Sequence, residues 1–228
     1  MASLKQNTRD ESFLGVSNPR FSHRRFPQLT PLPSAEEEVF KASALYKNSK
    51  FFSLQNATES RAVPEFQRSN IVHIASHTLN SEISSLASGI VLADEPSLNN
   101  KSAYHKGVLY DGLLQASEIY SLRATNTKLV ILSSCRSGVD ETATGEAAGA
   151  LVQAFLSIKV PSVVASLWNV DDESSAELMY FFHSYHRTKS LDFASSLREA
   201  QCSLIRGTDE VKRHPYYWGA FQIFGAGV

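Results

Sequence analysis

Three short runs constrain this chain more than anything else in it: NIVHIAS (Asn70–Ser76), KLVILSS (Lys128–Ser134) and PSVVASLW (Pro161–Trp168). Each is apolar and rich in β-branched residues, without the alternation of a strand that has one wet face. Such runs suit parallel strands covered on both sides. Helical patterns separate and follow them. TGEAAGALVQAFLSI sets Ala147, Leu151, Phe155 and Ile158 on one face, and DDESSAELMYFFHSYH sets Leu178, Phe181, Phe182 and Tyr185 on another after an acidic start. Strands alternating with amphipathic helices predict a mainly parallel sheet with helices on both faces.

The rest of the chain fits around that frame. The first dozen residues read as a flexible tail, and FLGV (Phe13–Val16) as a short strand. A loop with Pro19, Pro27, Pro31 and Pro33 follows, then a helix opened by a capping Ser34, with Val39, Phe40, Ala44 and Leu45 at helical spacing. KFFSL is a further strand. GIVLAD and GVLYDG are expected to pair as an antiparallel hairpin with a long tip. A last helix runs from a capping Ser190 to Gly207, and YYWGAFQIFG closes the chain as a strand.

Composition excludes several function classes. A formal net charge of −1 gives no field to gather nucleic acid or anionic lipid, so neither is expected as a partner. The cluster HRR (His23–Arg25) is too short to change that, and reads as solvated surface. With two cysteines, a polar start and no long apolar run, the expectation is a soluble, cytoplasmic protein with free thiols. No G-x-G-x-x-G follows the first strand, which argues against a Rossmann-type nucleotide site, and no cofactor or metal is expected.

In open α/β sheets, ligands bind beyond the carboxyl ends of the strands. Three of the predicted strands end there in reactive or polar groups: NIVHIAS in His77, KLVILSS in Cys135, and VVASLW in Asn169, Asp171 and Asp172. Were the first two strands neighbours, about 4.8 Å apart, an imidazole and a thiol would leave the sheet side by side. An imidazole can take the proton of a thiol whose ordinary pKa is ~8.5, and the thiolate can attack a peptide carbonyl. Backbone N–H groups of Cys135 and Thr78 are the natural donors to the oxyanion. On spacing alone two readings stand. Cys135 is either this nucleophile or a small buried hydrophobe, and His77 is either the acid/base or a structural residue.

The remaining candidates divide similarly. His73, inside an apolar run, reads as buried and structural, and His105 as a hairpin-tip residue facing water. His183 and His186 lack further ligands at metal-binding spacing and read as solvated helix positions. Cys202 reads as helix packing. Asp172 suits a helix start. Asn169 and Asp171 stand evenly between that role and a substrate-binding one, where an acid would select a basic side chain. Trp168 lines the same site or the core. Asp140 and Glu141 are either solvated charges or substrate contacts.

Taken in order, IVHIASH, SGIVLAD, LVILSSCRSG, GEAAGALVQAFLSIKVPSVVASLWNVDD and HPYYWGAFQIFG resemble the blocks of the CHAT domain, a caspase- and separase-related cysteine peptidase family. FLGVSNPRF and LPSAEEEV fit its N-terminal part, so the resemblance covers about Phe13 to Gly225. It implies a caspase-like three-layer α/β/α sandwich, a single domain over 13–228 after the tail 1–12, and a dyad of His77 as acid/base and Cys135 as nucleophile. A cysteine endopeptidase acting on protein or peptide substrates follows. CHAT domains commonly follow tetratricopeptide or other sensor repeats, so a regulatory repeat domain or partner is implied as well. One residue departs from the pattern. Caspase-like peptidases usually carry glycine after the catalytic histidine, and here Thr78 restricts the backbone. That departure is what supports the alternative, a catalytically weak or inactive scaffold of the same fold.

Overall fold

The computed structural model describes residues 10–81, 83–95, 104–105, 108–133, 144–168 and 172–228. In chain order the elements are β1 (Ser12–Pro19), α1 (Pro33–Ser43), β2 (Asn48–Leu54), α2 (Glu59–Phe66), β3 (Ile71–Ala75), β4 (Thr78–Leu79) and β5 (Gly89–Val91). There follow β6 (Tyr104–His105), β7 (Val108–Leu109), β8 (Leu113–Gln115), α3 (Ala116–Ile119), β9 (Leu129–Ser133), α4 (Thr144–Ser157) and β10 (Ser162–Ser166). The chain ends with α5 (Asp172–Lys189), α6 (Phe193–Arg206), α7 (Pro215–Trp218) and β11 (Phe221–Gly225).

The main sheet has the order β11-β10-β9-β3-β1-β2 and is parallel except where β11 meets β10. Its central strands β3, β9 and β10 are the three unalternated apolar runs, and every residue in them is buried. The reason is that both faces carry a core. On one, Ile71, Ile131 and Val164 meet Val39 of α1, Leu178 and Phe182 of α5, and Leu197 and Leu204 of α6. On the other, Val72, Ile74, Val130 and Val163 meet Val63 and Phe66 of α2 and Leu151 and Phe155 of α4. Each such fully buried side chain contributes roughly 1.5–3 kcal/mol, so a strand with no wet face is strongly fixed in place. The architecture is the caspase-like α/β/α sandwich that the resemblance implied, its sheet mainly parallel.

Gly15 sets the spacing of one layer. A Cβ there would run into the side chain of Val39, so the glycine is what lets α1 lie close on β1. A second, three-stranded sheet in the order β4-β5-β8 stands beyond the end of β3.

Several local expectations are corrected. Glu11 is buried and Ser12 already belongs to β1, so the chain is held before the expected tail boundary at residue 12. Leu32, not Ser34, is the N-cap of α1, with Pro33 opening the helix because its missing N–H costs nothing there. Phe40 is 59% exposed, since the buried stripe of α1 runs through Ala35, Glu38, Val39 and Ala42. Asp192 rather than Ser190 caps α6, accepting from the Ser195 N–H at 2.7 Å. The partner of β5 is β8 at 113–115, whereas β7 pairs with β6.

Candidate functional site

The strands β3 and β9 are parallel neighbours in register, ending with Ala75 opposite Ser133. His77 follows two residues beyond Ala75. Cys135 follows two residues beyond Ser133 in sequence and lies outside the described residues, as do Asn169, Asp171, Asp140 and Glu141.

His77 is buried at 1% exposure, and the hydrogen bonding around it fixes its ring. Its Nε2 stands 2.7 Å from the main-chain oxygen of Thr30. A carbonyl only accepts, so Nε2 carries the proton, and in the neutral ring Nδ1 carries the lone pair. The edge of the Phe21 ring meets the imidazole with centroids 5.7 Å apart. Phe21 belongs with Phe26, Leu29 and Val91 to a small apolar cluster under the loop that carries Thr30. The main-chain oxygen of His77 accepts from the Val91 N–H at 2.9 Å, and the Ser76 hydroxyl donates to the Val91 oxygen at 2.5 Å. The base of the imidazole is therefore tied to β5 on both sides.

Thr78 opens β4 opposite Ile90. Because His77 and Val91 form the hydrogen-bonded pair of this antiparallel ladder, Thr78 and Ile90 form the alternate kind, whose N–H and C=O groups point away from the partner strand. The Thr78 N–H thus faces away from β5.

At the end of β10, Trp168 packs partly buried against the core cluster, and its Nε1–H donates to the Tyr216 oxygen at 2.9 Å. Asp172 is the first residue of α5, as a helix-start reading expects. A cleft of about 750 Å³ opens between α1, α5 and the turn before α7, lined among others by Glu37, Lys41, Glu173, Glu177 and Lys212. Its charges pair with one another: Lys212 reaches Glu173 and Glu177 at 2.8 Å each, and Lys41 reaches Glu37 at 2.7 Å.

The helical histidines overturn the expectation of solvated positions. His183 and His186 are both fully buried, facing the sheet. His183 Nε2 lies 3.1 Å from Nδ1 of the equally buried His73, and His183 Nδ1 lies 2.8 Å from the Tyr46 hydroxyl. His73 Nε2 in turn stands 2.8 Å from Glu38 Oε1. Burial, then the neighbouring His73 and His186, holds His183 well below the ordinary histidine range. Burial also pushes the Tyr46 phenol well up, so its hydroxyl keeps its proton. His186 sits between the Leu191 oxygen at 2.7 Å and Glu11 at 2.8 Å. Burial alone would raise the Glu11 carboxyl, but the hydrogen bonds and charges of His186 and Lys128 outweigh it and hold it low. His73 is buried as expected. Cys202 is a partly buried free thiol on α6, and His105 falls in β6.

The sequence holds no signal for the contact between His77 and Thr30. A main-chain oxygen has no residue signature, and Phe21 lay in a loop read only for its prolines.

The model of one protein family, the CHAT domain, matches residues 1–226. The chain belongs to the CHAT domain family. Tetratricopeptide repeat protein 28 of mouse is 26% identical over 220 residues, which is 87% of this chain and 9% of that protein. The human protein of the same name is 24% identical over the same shares. This CHAT chain thus spans about 9% of the length of the curated relatives it matches. Among solved structures, the Saccharomyces cerevisiae separase–securin complex superposes with a TM-score of 0.53 at 14% identity, covering 95% of this chain and 12% of the other. The Arg-specific cysteine proteinase gingipain R gives a TM-score of 0.55 at 8% identity, covering 95% and 46%. At such identities the likeness is one of fold, and that fold is the caspase-like one.

Proposed function

We propose that this CHAT chain is a cysteine endopeptidase module that hydrolyses peptide bonds in protein or peptide substrates through His77 and Cys135. One observation carries the reading. His77 stands at the end of β3 with its Nε2 proton donated to Thr30, so that the neutral ring carries its lone pair on Nδ1, and β3 is in register with the strand whose chain reaches Cys135 two residues later. In the first step the Cys135 thiol gives its proton to Nδ1 and the sulfur bonds to the substrate carbonyl carbon. The oxyanion is held by the N–H groups of Thr78 and Cys135. On collapse the C–N bond breaks and His77 protonates the leaving amine. Water then attacks the thioester, His77 takes its proton, and the C–S bond breaks to release the acid and restore the thiol. Asn169 and Asp171 would wall the pocket for the residue before the scissile bond, Asp171 favouring a basic one. We place the module, a single domain that takes in Glu11 and Ser12, in a reducing cytoplasmic setting. It would answer to a repeat domain or partner, a view supported by the tetratricopeptide repeat relatives.

The test is a cleavage-site profile on a proteome-derived peptide library. Wild type should cut at defined sites, and both Cys135→Ala and His77→Ala should abolish the profile or slow it by about 10²–10⁴-fold. Thr78 at the usual glycine position favours the rival reading of an inactive scaffold. That reading predicts no cleavage and alkylation of Cys135 in a single step near pH ~8.5, unmoved by His77→Ala.

A further inference from the structure

The loop from residue 18 to residue 32 does more than pass over the site. Its two ends are stapled by one side chain. Asn18, buried and in the left-handed region at φ 42°, accepts from the Leu32 N–H through Oδ1 at 2.8 Å. Its Nδ2 donates to Glu36 Oε2 at 2.9 Å, and Glu36 Oε1 accepts from the Ser53 hydroxyl at 3.0 Å. The staple is therefore anchored to both α1 and the edge strand β2. Asparagine suits the position twice over, since it tolerates φ > 0 and supplies both an acceptor and a donor.

The far side of the loop is latched as well. Arg25 places Nη2 2.7 Å from Asp111 Oδ2 and donates from Nη1 to the main-chain oxygen of the same residue. Asp111 is itself set by its turn, accepting from the Leu113 N–H at 2.9 Å through Oδ1. Gly112, at φ 85°, donates to the buried Glu59 carboxyl at 2.6 Å. A two-point arginine contact fixes direction as well as distance, which a single ion pair does not. Thr30 lies between the staple and the latch, and its carbonyl is the group that holds Nε2 of His77.

We infer that Asn18 and Arg25 are positioning residues for His77: they close residues 18–32 into a rigid loop whose Thr30 carbonyl selects the imidazole tautomer. The inference rests on the reading of His77 as the acid/base, and concerns how that site is kept ready. With the loop fastened, the ring presents Nδ1 unprotonated. With either fastener gone, the carbonyl drifts from Nε2, the two tautomers mix, and the fraction able to take a thiol proton falls. Arg25 and Asp111 are 35% and 27% exposed, so the latch is open to competition from outside.

The experiment uses the whole chain with ¹⁵N-labelled histidine at neutral pH, reading the ring nitrogens of His77, alongside the pH midpoint of Cys135 alkylation. Wild type should show one tautomer, protonated at Nε2. Asn18→Gly keeps the backbone conformation and loses the staple. Arg25→Met loses the latch. Both should give mixed tautomer signals, and an alkylation midpoint higher by about 0.3 pH unit, about twofold slower at pH 7. Exchanging the charges, Arg25→Asp with Asp111→Arg, should bring back most of the wild-type signal. Folded variants, judged by unchanged near-ultraviolet circular dichroism, that keep the wild-type His77 signals would overturn the inference. If Asn18→Gly does not fold, Arg25→Met and the charge exchange decide it. Alkylation that ignores His77→Ala would instead sink the peptidase reading, with the ring signals still judging the loop.

Discussion

His73 and His183, 110 positions apart in sequence, stack ring on ring with centroids 5.2 Å apart and an interplanar angle of 26°. Both are fully buried, and the edge of the Phe13 ring meets each of them. The pair joins the sheet to α5 through polar contacts, in a mainly apolar layer.

The first prediction concerns acid. His183 is held well below the ordinary histidine value of 6.5, so the folded state binds fewer protons there than the unfolded chain. Stability should therefore be full above pH 6.5 and fall as pH drops below it, because only the unfolded chain gains the proton. Urea midpoints at pH 7.5 and 5.5 measure this. His183→Gln, which cannot charge, should flatten the slope, and an unchanged slope would show that the acid sensitivity lies elsewhere.

Glu59 should act in a different window and for the opposite reason. Burial first, then the charge of Glu118, raises its carboxyl from 4.5 to about 8, so the folded state keeps a proton that the unfolded chain has lost. Its contribution is full below pH 4.5 and is lost as pH rises through about 8. Glu59→Gln keeps an acceptor for the Gly112 N–H without the titration. Thermal melts should show this variant equal to or below wild type at pH 5 and above it at pH 8.

Gly15 is expected to tolerate no side chain. Gly15→Ala forces a Cβ against Val39 between β1 and α1, and overpacking of this kind costs about 1–3 kcal/mol. Adding Val39→Ala to the same chain should recover part of the loss, which chemical denaturation of the two variants would read directly.

Thr78→Gly should raise kcat/KM while leaving the cleavage sites as they are. The substitution keeps the N–H that faces away from β5 and removes the branched side chain beside it. Steady-state kinetics on the best library peptide checks this. A fall in rate would mean that the threonine side chain contributes to the site rather than crowding it.

Much of this was legible in the sequence because burial on both faces writes itself into composition. NIVHIAS, KLVILSS and PSVVASLW are mostly apolar and lack the alternation of a half-wet strand, and they form β3, β9 and β10. The end of β3 was equally plain, since His77 comes directly after the run IVHIA and its small serine. Less survives where the partner is distant or featureless. A histidine on a helix reads as polar surface until Glu11 or His73 arrives from far along the chain to meet it. The helix α2 went unread because Pro64 lies inside it, against the usual rule for helix interiors. The β5–β8 pairing differs from the hairpin the sequence predicts because nothing in three-residue strands fixes which of two nearby segments takes the edge.

The contact between His77 and Thr30 runs through the peptide backbone, and this shapes how it can be found and changed. Any amino acid at position 30 brings the same oxygen, so the chemistry of this contact is inherited with the path of the loop. Scanning by side-chain replacement will pass over it in silence. A chemically synthesised chain with a thioamide in place of the amide at Thr30, whose sulfur is a weaker acceptor than oxygen, is the change that reaches it.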